Sequence, residues 1–114
     1  MGNYRFNCAL QHNNDTDASD NGNYDSPATS KQAIAVVERV RQLGKSVLPN
    51  KAHEDFNEAI DGVIDWLNSK AGVGYRPSGN YDITEARQTF KHNGVLYRVD
   101  IKAGGKTSEG AWFL

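Results

Sequence analysis

Apolar residues recur at helical spacing in two central segments of the chain. Residue types that favour a helix start, Ser26-Pro27, Thr29 or Ser30, precede the first segment, and Pro49 ends it. Asn50 is a good capping residue for the second segment. The apolar positions are Ala33, Val36, Val37, Val40, Leu43, Gly44 and Val47 in the first and Phe56, Ala59, Ile60, Val63, Trp66 and Leu67 in the second. Because the connection is short, we predict two amphipathic helices that pack antiparallel.

A second pattern, a β-hairpin, follows the helices. Asn93-Gly94 is the preferred dipeptide of a two-residue type I′ turn, and it separates two strand-like runs. This turn places Phe90 opposite Tyr97 and Gln88 opposite Val99. Residues then separate into an apolar face, with Ala86, Phe90, Tyr97, Val99 and Ile101, and a polar face, with Glu85, Arg87, Thr89, Lys91, Arg98, Asp100 and Lys102. The same register opposes Arg87 to Asp100 and Glu85 to Lys102 as ion pairs, and a one-residue slip would lose both.

The remaining segments complete a small α+β domain. Residues 4–10 are rich in apolar and aromatic types and predict a short strand, and residues 111–114 predict a third strand after the hairpin. Residues 11–29 are rich in Asn, Asp, Ser, Thr and Gly, so we expect a long polar loop or flexible arm. The predicted order over 1–114, a single domain, is strand, loop, helix, helix and three strands. The antiparallel helices pack on a small antiparallel sheet.

Composition excludes several classes of protein. The chain has 114 residues, is 38% hydrophobic and 24% charged, and has a net charge of −1, which is too mild to indicate nucleic-acid binding by itself. No apolar run approaches the ~20 residues that span a bilayer, and residues 1–5 lack a signal-peptide core. We therefore expect a cytoplasmic protein with no membrane association. The one cysteine, Cys8, lies in an apolar run and is expected to be a buried, inert thiol.

Two motifs resemble metal sites. Asp100-Ile101-Lys102 resembles the Asp-x-Lys strand of nucleases with a PD-(D/E)xK-type core, in which an upstream acid such as Asp82 would help to hold Mg²⁺. The hairpin register instead gives Asp100 and Lys102 structural partners. Residues 17–28 partly resemble an EF-hand calcium loop, but Ala28 replaces the bidentate glutamate, so a polar loop is the better interpretation. We predict no catalytic residue, metal ligand or cofactor.

Charged surfaces remain as candidate partner-binding sites. Glu54, Glu58, Asp61 and Asp65 recur along one side of the second helix, as either a solvated face or a surface for a basic partner. Arg87, Lys91 and Arg98 make the polar side of the hairpin basic. These seven residues are the predicted partner-binding positions.

Two functions from different classes follow. The first is a small non-enzymatic interaction protein of inhibitor or accessory type, with a phage or mobile element as its expected source. It would bind a protein partner through its charged faces, and complementary faces also allow a homo-oligomer. The alternative is a small nuclease that uses the polar face of the hairpin on nucleic acid. The predicted architecture resembles that of small bacterial ribonuclease toxins, by analogy of fold alone.

Overall fold

The computed structural model describes residues 4–69, 80–82 and 86–104 of the chain, with the backbone only for 80–82. Two strands, two helices and three further strands follow one another as an α+β fold, which confirms the predicted class. The strands are β1 (Tyr4–His12), β2 (Asp15–Tyr24), β3 (Asn80–Asp82), β4 (Gln88–His92) and β5 (Val95–Gly104). The helices are α1 (Ser30–Val47) and α2 (His53–Asn68), with a short 3-10 helix at Asn50–Ala52 between them.

All strand pairs of the sheet are antiparallel. The order runs β2, β1, β5, and both β3 and β4 pair with the far side of β5. The two helices cover one face: α1 packs over β2 and β1, and α2 packs over β4 and β5. The core lies between these layers, where Phe6, Leu10 and Ile101 from the sheet meet Phe56 and Ile60 from α2. Trp66 and Tyr97, both predicted core residues, are half-buried and pack against its border.

The hairpin has the predicted register. Phe90 pairs with Tyr97 and Gln88 with Val99. Asn93 and Gly94 have φ of 50° and 78°, the left-handed region that a type I′ turn requires at both positions. The Arg87–Asp100 ion pair is also formed. The predicted Glu85–Lys102 ion pair involves Glu85, which lies outside the described residues. The predicted strand at 111–114 lies outside them as well.

The polar segment 11–29 was predicted wrongly as a loop. β1 continues to His12, and β2 returns along it from Asp15 to Tyr24, with a bulge opposite Leu10 and Gln11. This strand has few strong β-formers because it is the last strand of the sheet: its outer side chains face solvent and need no apolar pattern. Residues 17–24 lie in β2, so they do not form the calcium loop that residues 17–28 resemble. Only residues 25–29 connect β2 to α1.

The helix boundaries were predicted with mixed success. Thr29 is the N-cap of α1 and forms a capping box with Gln32. Asn50 does not cap α2, because the 3-10 helix starts there and Ala52 precedes α2 without a side-chain cap.

Two predicted core residues at the end of α1 are exposed. Leu43 is 45% and Val47 is 55% exposed, because no described element packs over that side of the helix. Gly44 alone continues the buried stripe there, against Phe56.

Candidate interaction surface

The face of the sheet that points away from the helices is polar, and we call it the open face. Side chains alternate between the two faces along each strand. Phe6, Cys8 and Leu10 point towards the helices, so the residues between them lie on the open face. No described helix covers this face. Its residues are Arg5, Asn7, Ala9 and Gln11 of β1, Thr16, Ser19, Asn21 and Asn23 of β2, Thr89 and Lys91 of β4, Leu96, Arg98, Asp100 and Lys102 of β5, and Arg87 just before β4.

The open face is electropositive within the described residues. Among the side chains that the structure describes, it carries five cationic groups against one carboxylate, that of Asp100, and the β3–β5 register places Asp82 opposite Lys102 on the same face. Arg87, Lys91 and Arg98, which were singled out in the sequence, all lie here, and Arg5 and Lys102 join them across the sheet. Arg5 was not among the predicted positions, because the hairpin pattern alone does not show which strands lie next to β1 in the sheet.

Asp100 organises two of these cations. Arg87 Nε donates to Asp100 Oδ1 at 2.5 Å, and Arg98 Nε donates to Oδ2 at 3.1 Å. Arg98 Nη2 also donates to the carbonyl oxygen of Asn13 at 3.1 Å. Because the Asp100 side chain is only 15% exposed, these charge-assisted contacts are partly shielded from water and fix both guanidinium groups. The carboxylate thus serves as an anchor for arginines.

A polar groove of about 360 Å³ crosses the open face. Its floor is Ala9, which is 7% exposed and lies between Ser19 and Asp100 on the neighbouring strands. Small side chains at the centre leave a depression that longer amides surround. Its lining is Asn7, Ala9, Gln11, Thr16, Ser19, Asn21, Asp100 and Lys102. This groove could not be predicted from the sequence, because three of its eight lining residues come from β2, which was predicted as a loop.

The acidic side of α2 is a separate surface on the helix layer, across the sheet from the open face. Glu54, Glu58, Asp61 and Asp65 are all exposed there. Asp61 has a structural partner, since its Oδ1 accepts from Arg41 Nη2 of α1 at 2.6 Å. Burial lowers the pKa of Arg41, but hydrogen bonds to Glu38 and Asp61 outweigh burial, so the pKa is raised overall. The acidic stripe is therefore partly a helix–helix contact.

The Cys8 thiol is buried in the core, as predicted. Desolvation raises its pKa, and the negative charges of Asp100 and Asp20 raise it further. The thiol therefore stays protonated and inert in the folded protein. Among the described residues, no cluster of three or more His, Cys, Asp or Glu side chains is arranged to hold a metal ion.

No protein family, curated protein or solved structure gives a significant match to this chain. In the described part of the chain, neither helix has the length and apolar character needed to cross a bilayer.

Proposed function

We propose that this protein is a small non-enzymatic interaction protein that binds an acidic patch of a partner protein through the open face. One observation carries the proposal: this sheet face has no described helix over it and carries five basic residues against two acidic ones, Asp100 and Asp82. Opposite charges on two surfaces accelerate their encounter and discriminate against wrong partners. An inhibitor or accessory protein requires both properties.

The order imposed on the arginines supports this function. Arg87 and Arg98 are held by Asp100 before any partner arrives, so less side-chain entropy is lost on binding. Lys91 is exposed nearby on β4 and adds charge at the hairpin. The groove over Ala9 offers amide, hydroxyl and charged groups that suit polar partner side chains.

The described part of the open face favours a protein over a nucleic acid. Single-stranded nucleic acids are usually bound by aromatic side chains on which bases stack. Tyr4, Tyr24, Phe90 and Tyr97 all lie on the helix side of the sheet, so no described aromatic side chain provides such a platform.

The test is affinity capture from the source organism with matched charge variants. In one variant, Thr89→Glu and Lys91→Glu add negative charge to the open face, Thr89 directly opposite Arg98 and Lys91 two residues nearer the turn. In the control, Glu54→Lys and Glu58→Lys alter the exposed side of α2. We expect the open-face variant to lose the partner and the control to keep it, with equal thermal stability. Capture that survives the open-face change but fails with the α2 change would contradict the proposal.

A nuclease is the second candidate, and one observation favours it. In the β3–β5 register Asp82 lies opposite Lys102, two residues beyond Asp100. Its support is weaker because both oxygens of Asp100 already accept from arginines. A gel assay on mixed RNA and DNA, with and without Mg²⁺, decides the question: cleavage lost in Asp100→Ala and Lys102→Ala would establish the metal-dependent form, and intact substrate would eliminate it.

A further inference from the structure

A second groove lies between α1 and β2, at the edge of the sheet. β2 is the terminal strand of the order β2, β1, β5, and no strand in the described part of the chain pairs with its outer edge. An edge strand presents unpaired N–H and C=O groups that can accept another strand. Asp20 of β2 and Arg39 of α1 form an ion pair that joins the strand to the helix. The edge and the helix thus form two walls.

The groove between these walls has an apolar part. It encloses about 500 Å³ and is lined by Asp20, Glu38, Arg39, Gln42 and Leu43. Leu43 is 45% exposed, and Val47, one turn later, is 55% exposed. A helix that leaves leucine and valine uncovered next to an edge strand has the two components of a strand-addition site. These components are a backbone edge for hydrogen bonds and a pocket for a side chain.

The charge around the groove is acidic. β2 contains Asp15, Asp17 and Asp20 and neither lysine nor arginine, and Glu38 lies on the helix rim. Arg39, the only basic lining residue in the described part, pairs with Asp20, and Glu38 pairs with Arg41 of the same helix. The excess negative charge therefore lies on Asp15 and Asp17 of β2, which share the His12 ring as a partner. Two β2 edges paired with each other would gather three aspartates from each chain, six in all, so a basic segment fits this edge better than a second copy does.

We infer that β2 and α1 form a docking groove for an extended, basic segment of a partner protein, which adds as a further strand along β2. A residue of the added strand that pairs with Asp20 lies on the helix side of the sheet, as Asp20 does, because Asp20 itself pairs with the buried Cys8. The added strand directs every second side chain towards α1. An apolar side chain enters the groove at Leu43, and basic side chains two residues before and after it approach the aspartates and Glu38.

A designed peptide tests this inference. The probe is a fluorescent Thr-Lys-Thr-Leu-Thr-Lys-Thr peptide, titrated into the full chain and followed by anisotropy. We expect saturable binding. Replacing both lysines by glutamate, or methylating alternate backbone nitrogens so that the edge hydrogen bonds are lost, should weaken binding by about tenfold or more. The methylated peptide keeps its charges, so it separates strand addition from simple attraction.

Two exposed leucines provide a matched pair of protein variants. Leu43→Asn should weaken binding by about tenfold, whereas Leu96→Asn, at a leucine 53% exposed on the open face, should leave binding within about twofold of the wild type. Absence of saturable binding, equal binding of the methylated peptide, or equal effects of the two substitutions would overturn the inference. A dimer of the peptide-free protein that Leu43→Asn dissociates would also overturn it, in favour of a second copy. Lys91→Glu should leave peptide binding unchanged, so failure of the open-face proposal does not affect this result.

Discussion

The two glycines within the helices differ in what surrounds them, and this predicts opposite effects of the same substitution. A Cβ at Gly44 would lie 2.3 Å from Cζ and 2.6 Å from Cε2 of Phe56, which is fully buried and contacts the Phe90 ring at 6.1 Å between centroids. A Cβ at Gly62 would lie 2.7 Å from Cδ of Gln88, near the end of a flexible, half-buried side chain. Phe56 cannot move without disturbing the core, and Gln88 can.

The magnitude follows from two opposing effects. Alanine in place of glycine stabilises a helix interior by about 1 kcal/mol. Forcing an extra methyl into a packed core destabilises by about 1–3 kcal/mol. At Gly44 the clash outweighs helix propensity, and we expect a net loss of about 1–2 kcal/mol. At Gly62 the side chain of Gln88 rotates away, and we expect a change between zero and a gain of about 1 kcal/mol.

Urea denaturation followed by circular dichroism measures both variants against the wild type. For a domain of this size, each kcal/mol corresponds to about 4 °C in Tm, so thermal melts give an independent check. Gly44→Ala as stable as the wild type would refute the close packing of α1 against α2. Equal shifts for the two variants would refute the claim that the local surroundings decide the sign.

Three further predictions concern the capping box, the turn and the thiol. Thr29→Ala should lower the free energy of unfolding by about 1 kcal/mol, measured in urea, because the backbone N–H of Gln32 loses the Thr29 hydroxyl as its acceptor. Gly94→Ala should also lower the free energy of unfolding by about 1 kcal/mol, because an alanine is strained at the left-handed φ of 78°. An unchanged free energy of unfolding would contradict the type I′ turn. Burial and the charges of Asp100 and Asp20 raise the pKa of Cys8 in the folded protein. Above the ordinary thiol pKa only the unfolded chain ionises at this residue. The free energy of unfolding is therefore unaffected by Cys8 ionisation below that pH and falls above it. Between about pH 8 and 10 the wild type should therefore lose stability more steeply than Cys8→Ala, by up to about 1.4 kcal/mol per pH unit.

Local chemistry made the hairpin predictable. The Asn93-Gly94 turn and the alternation of apolar and polar residues on either side specify the same register, and the structure has that register. The Arg87–Asp100 contact follows from it. Agreement between turn type and side-chain pattern is sufficient where one face of a strand pair is buried.

Features that depend on distant neighbours were not predictable. β2 lacks an apolar pattern because it is an edge strand, and its ladder with β1 was therefore invisible in its own residues. Periodicity predicted burial of Leu43 and Val47, but burial also requires a neighbouring element, and no described element covers them. The open face, which joins β1 and β2 to the hairpin, could be defined only once the strand order was known.

The central claim is that the open face binds an acidic partner, and its most direct test is the affinity of the captured partner for three variants. We expect the double change Thr89→Glu and Lys91→Glu to raise Kd by about tenfold or more, mainly because association becomes slower. Added salt screens the charges, so it should reduce the difference from the wild type. Lys91→Arg, which keeps the charge, should bind as the wild type does, and so should the α2 control with Glu54→Lys and Glu58→Lys. A Kd unchanged by the double open-face substitution, with loss of binding only in the α2 variant, would contradict the account.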